Sequence, residues 1–176
     1  LPYGEVFGIA SKNFYRLIKD VDFSFFDYIA LSDQDDLWMN DKIINSIHML
    51  ELNNAVAYSG GTISFWEDGK KRAINRSVTQ KRFDYYFESP GPGCTFLINN
   101  EFAMLFKDFL INNWKKINDI QNHDWFIYAF FRSREYVWYI DESKYMFYRQ
   151  HQANQVGVRT GLNAYLYRLK QIQDGW

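Results

Sequence analysis

The chain has 176 residues, room for one domain with a substantial core but not comfortably for two. Its 20 basic and 21 acidic residues leave a net charge of −1, which excludes a general nucleic-acid binder, because that class needs a basic excess to displace counterions from phosphates. One cysteine, Cys94, excludes an internal disulfide framework and fits a reducing, cytoplasmic compartment.

Aromatic residues make up 20% of the chain, with six Trp, thirteen Tyr and sixteen Phe. Such side chains fill cores first, and they also offer flat faces on which sugar rings and bases stack. No apolar run approaches the ~20 residues of a membrane span, and no signal-peptide pattern is evident. Leu1-Pro2-Tyr3-Gly4 reads like the interior of a longer protein.

In chain order, Phe14, Leu17 and Ile18 share one face of a short helix over residues 9–20. Asp27 to Ser32 is an apolar run bounded by polar residues, as a buried strand is. Asn40 is placed to cap the next helix, with Asp41 in its first turn and Ile43, Ile44, Ile47 and Leu50 at helical spacing. Residues 55–59 read as a second strand, and 62–74 as a hairpin turning on Asp68-Gly69. Residues 75–89 read as a polar, mobile loop. Ser89-Pro90-Gly91-Pro92-Gly93 breaks structure before a strand over 94–98. Helices are expected at 100–117 and 124–133, and strands at 136–140 and 145–148. A polar loop follows over 149–160, and then a helix with Leu162, Tyr165, Leu166, Leu169 and Ile172 on one face. This alternation predicts an α/β sheet with helices on both sides.

The sharpest feature is Ser32-Asp33-Gln34-Asp35-Asp36-Leu37-Trp38. Its carboxylates stand at the C-terminal end of a predicted core strand, the edge where ligands sit in open α/β sheets. In an extended stretch Asp33 and Asp35 project to one side, and two hard oxygen ligands suit Mg²⁺ or Mn²⁺. A solvated acidic turn accounts for the same residues.

Residues 28–38, with Asp41-Lys42 after them, resemble the Asp-X-Asp region of family 2 glycosyltransferases, closest to the bacterial rhamnosyltransferase-like branch. Gly93-Cys94-Thr95-Phe96, His123-Asp124-Trp125 and residues 148–157 resemble further motifs of that family in the same order. The resemblance runs from about Gly8 to Gly157. It implies a GT-A fold, a Rossmann-like mixed sheet flanked by helices, lacking its first strands. Residues 1–160 would be the C-terminal part of that domain and 161–176 an amphipathic helix, packed on the domain or lying on a membrane surface.

The resemblance also assigns roles. Asp33 and Asp35 would hold the divalent ion, with His151 closing over the diphosphate or joining the metal. Asn13, Asp33, Asp36, Arg149 and His151 would contact the donor. Gly91, Gly93, Thr95 and Trp125 would border donor or acceptor sugar, with Trp38 and Tyr148 further stacking candidates. Asp124 would be the base of an inverting transfer, which needs a carboxylate beside the acceptor hydroxyl; an N-terminal helix charge is the plainer use of such an Asp. Asn154 and Gly157 would shape the loop around His151. His48 reads as structural or exposed, and Cys94 as a small buried residue.

The implied partners are a dTDP- or UDP-sugar, plausibly rhamnose-bearing, and a saccharide or lipid-linked acceptor. The motifs with which family members begin do not precede Leu1; by analogy about 60 residues, two βα units, would come before it. A sheet without its first strands has a raw edge at which a second copy can pair. Two other readings stay open on the sequence: a non-catalytic carbohydrate-binding module that uses the aromatics, and a metal-dependent phosphohydrolase that uses the aspartates.

Overall fold

The computed structural model describes residues 8–74 and 79–151. Its elements are α1 (Ala10–Asp20), β1 (Tyr28–Ala30), β2 (Leu37–Trp38), α2 (Lys42–Leu52), β3 (Ala57–Phe65), β4 (Lys71–Ile74), β5 (Leu97–Asn99), α3 (Asn100–Asn112), α4 (Trp114–Ile117), α5 (His123–Arg132) and β6 (Trp138–Arg149). Short 3₁₀ turns occupy Asp84–Tyr86 and Gly93–Thr95.

The strands form one mixed sheet in the order β1-β5-β3-β6-β2, with β4 paired to β3. Only β3 and β6 run parallel; the other pairings are antiparallel. Side-chain alternation divides the core between two faces. Ile29, Ala57, Ile98 and Trp138 pack against α1, α3 and α5, on Phe14, Tyr15, Phe106, Ile127 and Phe131. Their strand neighbours Tyr28, Tyr58, Leu97 and Tyr139 pack against Leu50 and Ile47 of α2 on the other face. The predicted sheet covered on both sides is therefore present. Burying aromatic-rich faces of this kind removes large apolar areas from water, about 25 cal/mol per Å².

Several local expectations change. Residues 55–59 and the first hairpin arm are one strand, β3, while 136–140 and 145–148 join in β6. Each supplies long-range pairing to the other, which local periodicity does not register. The expected strand start at Cys94 is a 3₁₀ turn, and β5 begins only at Leu97. The helix over 100–117 breaks at Asn113, whose side-chain amide folds back onto the Phe109 carbonyl at 2.9 Å. Asp41 rather than Asn40 stands at the α2 N-cap, and its carboxylate accepts from Asn45 Nδ2 at 3.0 Å. His48 is exposed and Cys94 buried, as read. The C-terminal helix over 161–176, Asn154 and Gly157 lie outside the described residues. Among the described residues, no helix is long and apolar enough to cross a membrane.

Candidate functional site

Four chain segments meet at one end of the sheet's strands, where the loop after β1 crosses from one edge strand to the other, β2. Strand β1 ends at Ala30, paired with Leu97 of antiparallel β5, and Leu31 N–H continues the ladder to Phe96 O at 3.1 Å. This brings the acidic loop 32–36 beside the Gly93–Thr95 turn. Strand β2 pairs Leu37 with Phe147, so the end of β6 reaches the same loop. The first turn of α5 completes the ring by packing on Gly93.

Within the loop, Gln34 and Asp35 form a turn instead of the expected extended stretch, and Asp33 converges with Asp36. Asp33, Asp36 and the Cys94 thiol place one donor atom each within 4.8 Å of one another. Burial first, then Asp35, and more weakly Asp124, push the Asp33 carboxyl up, against a hydrogen bond from Cys94. Burial pushes Asp36 up to about 6, against hydrogen bonds from Cys94 and the Arg149 N–H. Burial and the two carboxylates push the Cys94 thiol well up, which disfavours the thiolate a nucleophile needs. The Asp36 Oδ2 atom is buried without a hydrogen-bond partner. Crowded, partly dehydrated carboxylates with an unmet acceptor are a donor set that a hard divalent cation satisfies.

The end of β6 closes over the loop. Arg149 donates from its backbone N–H to Asp36 Oδ1 at 3.2 Å and from Nε to the Asp35 carbonyl at 3.0 Å. His151 Nε2 lies 2.9 Å from Asp35 Oδ2. The structure thus brings together Asp33, Asp35, Asp36, Arg149 and His151, which the sequence had named from two segments.

Asp124 stands in the first turn of α5. Its Oδ1 accepts from the Trp125 N–H at 2.8 Å. Ser89 Oγ lies 3.1 Å from Oδ2 and 2.7 Å from the Gly91 carbonyl, and one hydroxyl proton serves these two acceptors. Asp124 Cβ packs against Gly93, whose chain neighbour Cys94 groups with Asp33 and Asp36 within 4.8 Å, so the turn over residues 93–95 links the base candidate to the acidic loop. Gly93 explains how α5 is seated: a Cβ there would lie 2.4 Å from His123 Nε2 and 3.4 Å from Asp124 Cβ. Gly91, at φ +138°, takes a conformation that side chains rarely adopt.

Other expected site residues make structural contacts. Thr95 is buried, with its hydroxyl donating to Pro92 O at 2.7 Å, and shapes the turn instead of presenting a surface. Trp125 donates from Nε1 to the Tyr85 carbonyl at 2.8 Å and so fastens the loop before Ser89. Asn13 is exposed on α1, and among the described residues no side-chain contact joins it to the acidic loop. Trp38 lies under the ammonium of Lys42, whose Nζ is 3.8 Å from the ring centroid.

Three residues to which the sequence assigns no role, two of them (Lys42 and His123) inside the motifs named above, belong to this neighbourhood. Lys42 is 2% exposed, its Nζ has no hydrogen-bond partner, and burial pulls its pKa down to about 8. Tyr15 is fully buried beside Asp124; burial, then that charge, drives its phenol far up. His123 stacks on Phe14 with centroids 4.4 Å apart, and burial lowers its pKa. A Lys at a helix start and a Tyr on an apolar face carry no local sign of these placements.

No family model matches the chain. Over all 176 residues it is 49% identical to a dTDP-rhamnosyl transferase, RfbG, of Shigella flexneri, and it spans 61% of that protein's length. The similarity runs over the whole chain and agrees with the resemblance carried by its motifs.

Proposed function

We propose that this chain carries the catalytic region of an inverting glycosyltransferase that moves rhamnose from dTDP-rhamnose to a saccharide or lipid-linked acceptor. The observation that carries the reading is the convergence of Asp124 and the acidic loop on the turn over residues 93–95, Asp124 against Gly93 and Asp33 and Asp36 against Cys94. The whole-length similarity to a dTDP-rhamnosyl transferase supports the donor class.

Asp33 and Asp35 would hold Mg²⁺ or Mn²⁺, with His151 beside Asp35 and Asp36 next in reach. Bound there, the ion supplies Lewis-acid stabilisation of the departing dTDP. The chain's own residues do the rest. Arg149 fixes the loop by gripping Asp35 O and Asp36. The Cys94 thiol, with its Sγ within 4.8 Å of the Asp33 and Asp36 carboxylates, backs the inner side of the loop. Asp124, held by the Trp125 N–H and by Ser89, takes the proton of the acceptor hydroxyl as its oxygen attacks the anomeric carbon from the side opposite the diphosphate. A lipid-linked acceptor would bring the enzyme to the cytoplasmic face of a membrane.

The test is transfer of labelled rhamnose from dTDP-rhamnose by the full-length protein, using host membranes as the acceptor source. Product that needs Mn²⁺ and acceptor, and disappears with Asp33→Asn, supports the reading. Free rhamnose released at the same rate without acceptor identifies a hydrolase and removes it.

A further inference from the structure

The segment leading into Ser89 carries Phe83, Tyr85, Tyr86 and Phe87 within five positions. Phe83, Tyr86 and Phe87 are 52%, 57% and 77% exposed. Their rings still form a continuous row, with Phe83–Tyr86, Tyr85–Tyr86 and Tyr86–Phe87 centroids 6.1, 4.6 and 6.3 Å apart. Leaving such rings in water forgoes the burial that usually decides their place.

The row is firmly mounted. Trp125 Nε1 donates to Tyr85 O at 2.8 Å, and Tyr128 Oη to Asp84 Oδ2 at 3.0 Å. Arg132 Nη2 donates to Lys81 O at 3.1 Å, and Gln80 Nε2 to Trp138 O at 2.8 Å. Three of these four anchors are on α5, the helix whose first turn holds Asp124. Phe87 is two residues, at most about 7 Å of chain, from Ser89, whose Oγ is 3.1 Å from Asp124 Oδ2.

We infer that Phe83, Tyr86 and Phe87 form the acceptor platform, a binding site for a saccharide chain whose sugar rings stack on the aromatic faces and whose terminal hydroxyl reaches Asp124. The inference rests on the glycosyltransferase reading and names the acceptor side of that site. Three things select a saccharide. The row is continuous with the base through Ser89 and Trp125. Aromatic faces suit the C–H surfaces of pyranose rings. The anchors mount the row on α5 and at the start of β6, so the acidic loop and the end of β6 remain for the diphosphate.

The experiment is saturation-transfer NMR on the full-length protein with methyl α-rhamnoside, methyl β-glucoside, methyl β-galactoside and methyl β-N-acetylglucosaminide. It compares wild type with Phe83→Ala/Tyr86→Ala/Phe87→Ala, whose altered side chains are exposed. Thermal shift by dTDP with Mn²⁺ reports the donor side of both proteins. The expected result is transfer to ring C–H protons of at least one glycoside in wild type, weakened about 3- to 10-fold per lost ring, with the dTDP shift unchanged. Equal transfer in the variant overturns the platform, as does no transfer with any of the four while dTDP still binds. Loss in the variant of binding to vesicles of phosphatidylglycerol and phosphatidylethanolamine, without glycoside binding in wild type, also overturns it and makes the row a membrane contact. Absence of any dTDP shift in wild type strikes the glycosyltransferase reading itself, separately from the glycoside result.

Discussion

His151 Nε2 lies 2.9 Å from Asp35 Oδ2, a contact between residues 116 positions apart. It ties the segment after β6 to the loop after β1, while Asp33 and Asp36 of the same loop converge on Cys94. The acidic loop therefore offers two groupings, an inner one capped by Cys94 and an outer one finished by His151.

If the outer grouping serves the metal, His151→Ala weakens Mn²⁺-dependent dTDP binding by about 10- to 100-fold, the usual cost of losing a supporting partner at a metal site. Binding measured without Mn²⁺ stays the same. Calorimetry of both states checks this, and an equal loss with and without metal would assign His151 to the nucleotide alone.

Asp124→Asn preserves the shape of the first turn of α5 but cannot accept a proton. The expected outcome is a fall in kcat of about 10²- to 10⁴-fold with dTDP affinity unchanged. Steady-state transfer rates and dTDP titrations on one preparation check both parts. Retained turnover removes Asp124 from the mechanism.

Gly93→Ala places a methyl group 2.4 Å from His123 Nε2. His123 is stacked on Phe14 and cannot step aside cheaply. The substitution should cost about 1–3 kcal/mol, the range for overpacking, and should displace Asp124 with the helix start. Denaturant unfolding and the transfer assay should then fall together. Unchanged stability would show that His123 has another place to go.

Lys42 gives a pH prediction. Its ordinary value is 10.5 and its native value about 8, so between these pH values the unfolded chain holds the extra proton. Stability from this group therefore rises as pH climbs from about 8 to 10.5, and the full cost of the buried charge applies below 8. Lys42→Met removes that cost and also the contact with Trp38, itself worth about 1–2 kcal/mol. The net gain expected at pH 7 is about 1–2 kcal/mol, a rise of several degrees in Tm. The gain should vanish near pH 10.5. A lower Tm for Lys42→Met at pH 7 would show that the ammonium holds the acidic loop together.

Much of this site could be read from the chain because its parts are local runs of unusual residues. Three aspartates after an apolar strand, a glycine before Cys94, and a His-Asp-Trp at a helix start each stand out alone. What could not be read depends on contacts across the sheet. The sequence pattern predicts an extended stretch through Asp33 and Asp35, whereas residues 34–35 form a turn, and the meeting of Asp33 and Asp36 with Cys94 is a long-range contact that local alternation does not register. The stretch 75–89 reads as a polar loop, and its rings give no local sign of fixation. Residues 81 and 85 are held through backbone carbonyls bonded to distant side chains, as between Tyr85 and Trp125, 40 positions apart. Lys42 gave no sign of burial because lysine is ordinarily a surface residue.

The most direct test of the account is a calorimetric titration of dTDP into the full-length protein, with and without Mn²⁺, repeated for Asp35→Asn. The account predicts tight binding with Mn²⁺, at least about tenfold weaker binding without it, and no gain from the ion in Asp35→Asn. Equal affinity with and without Mn²⁺ in wild type would contradict it.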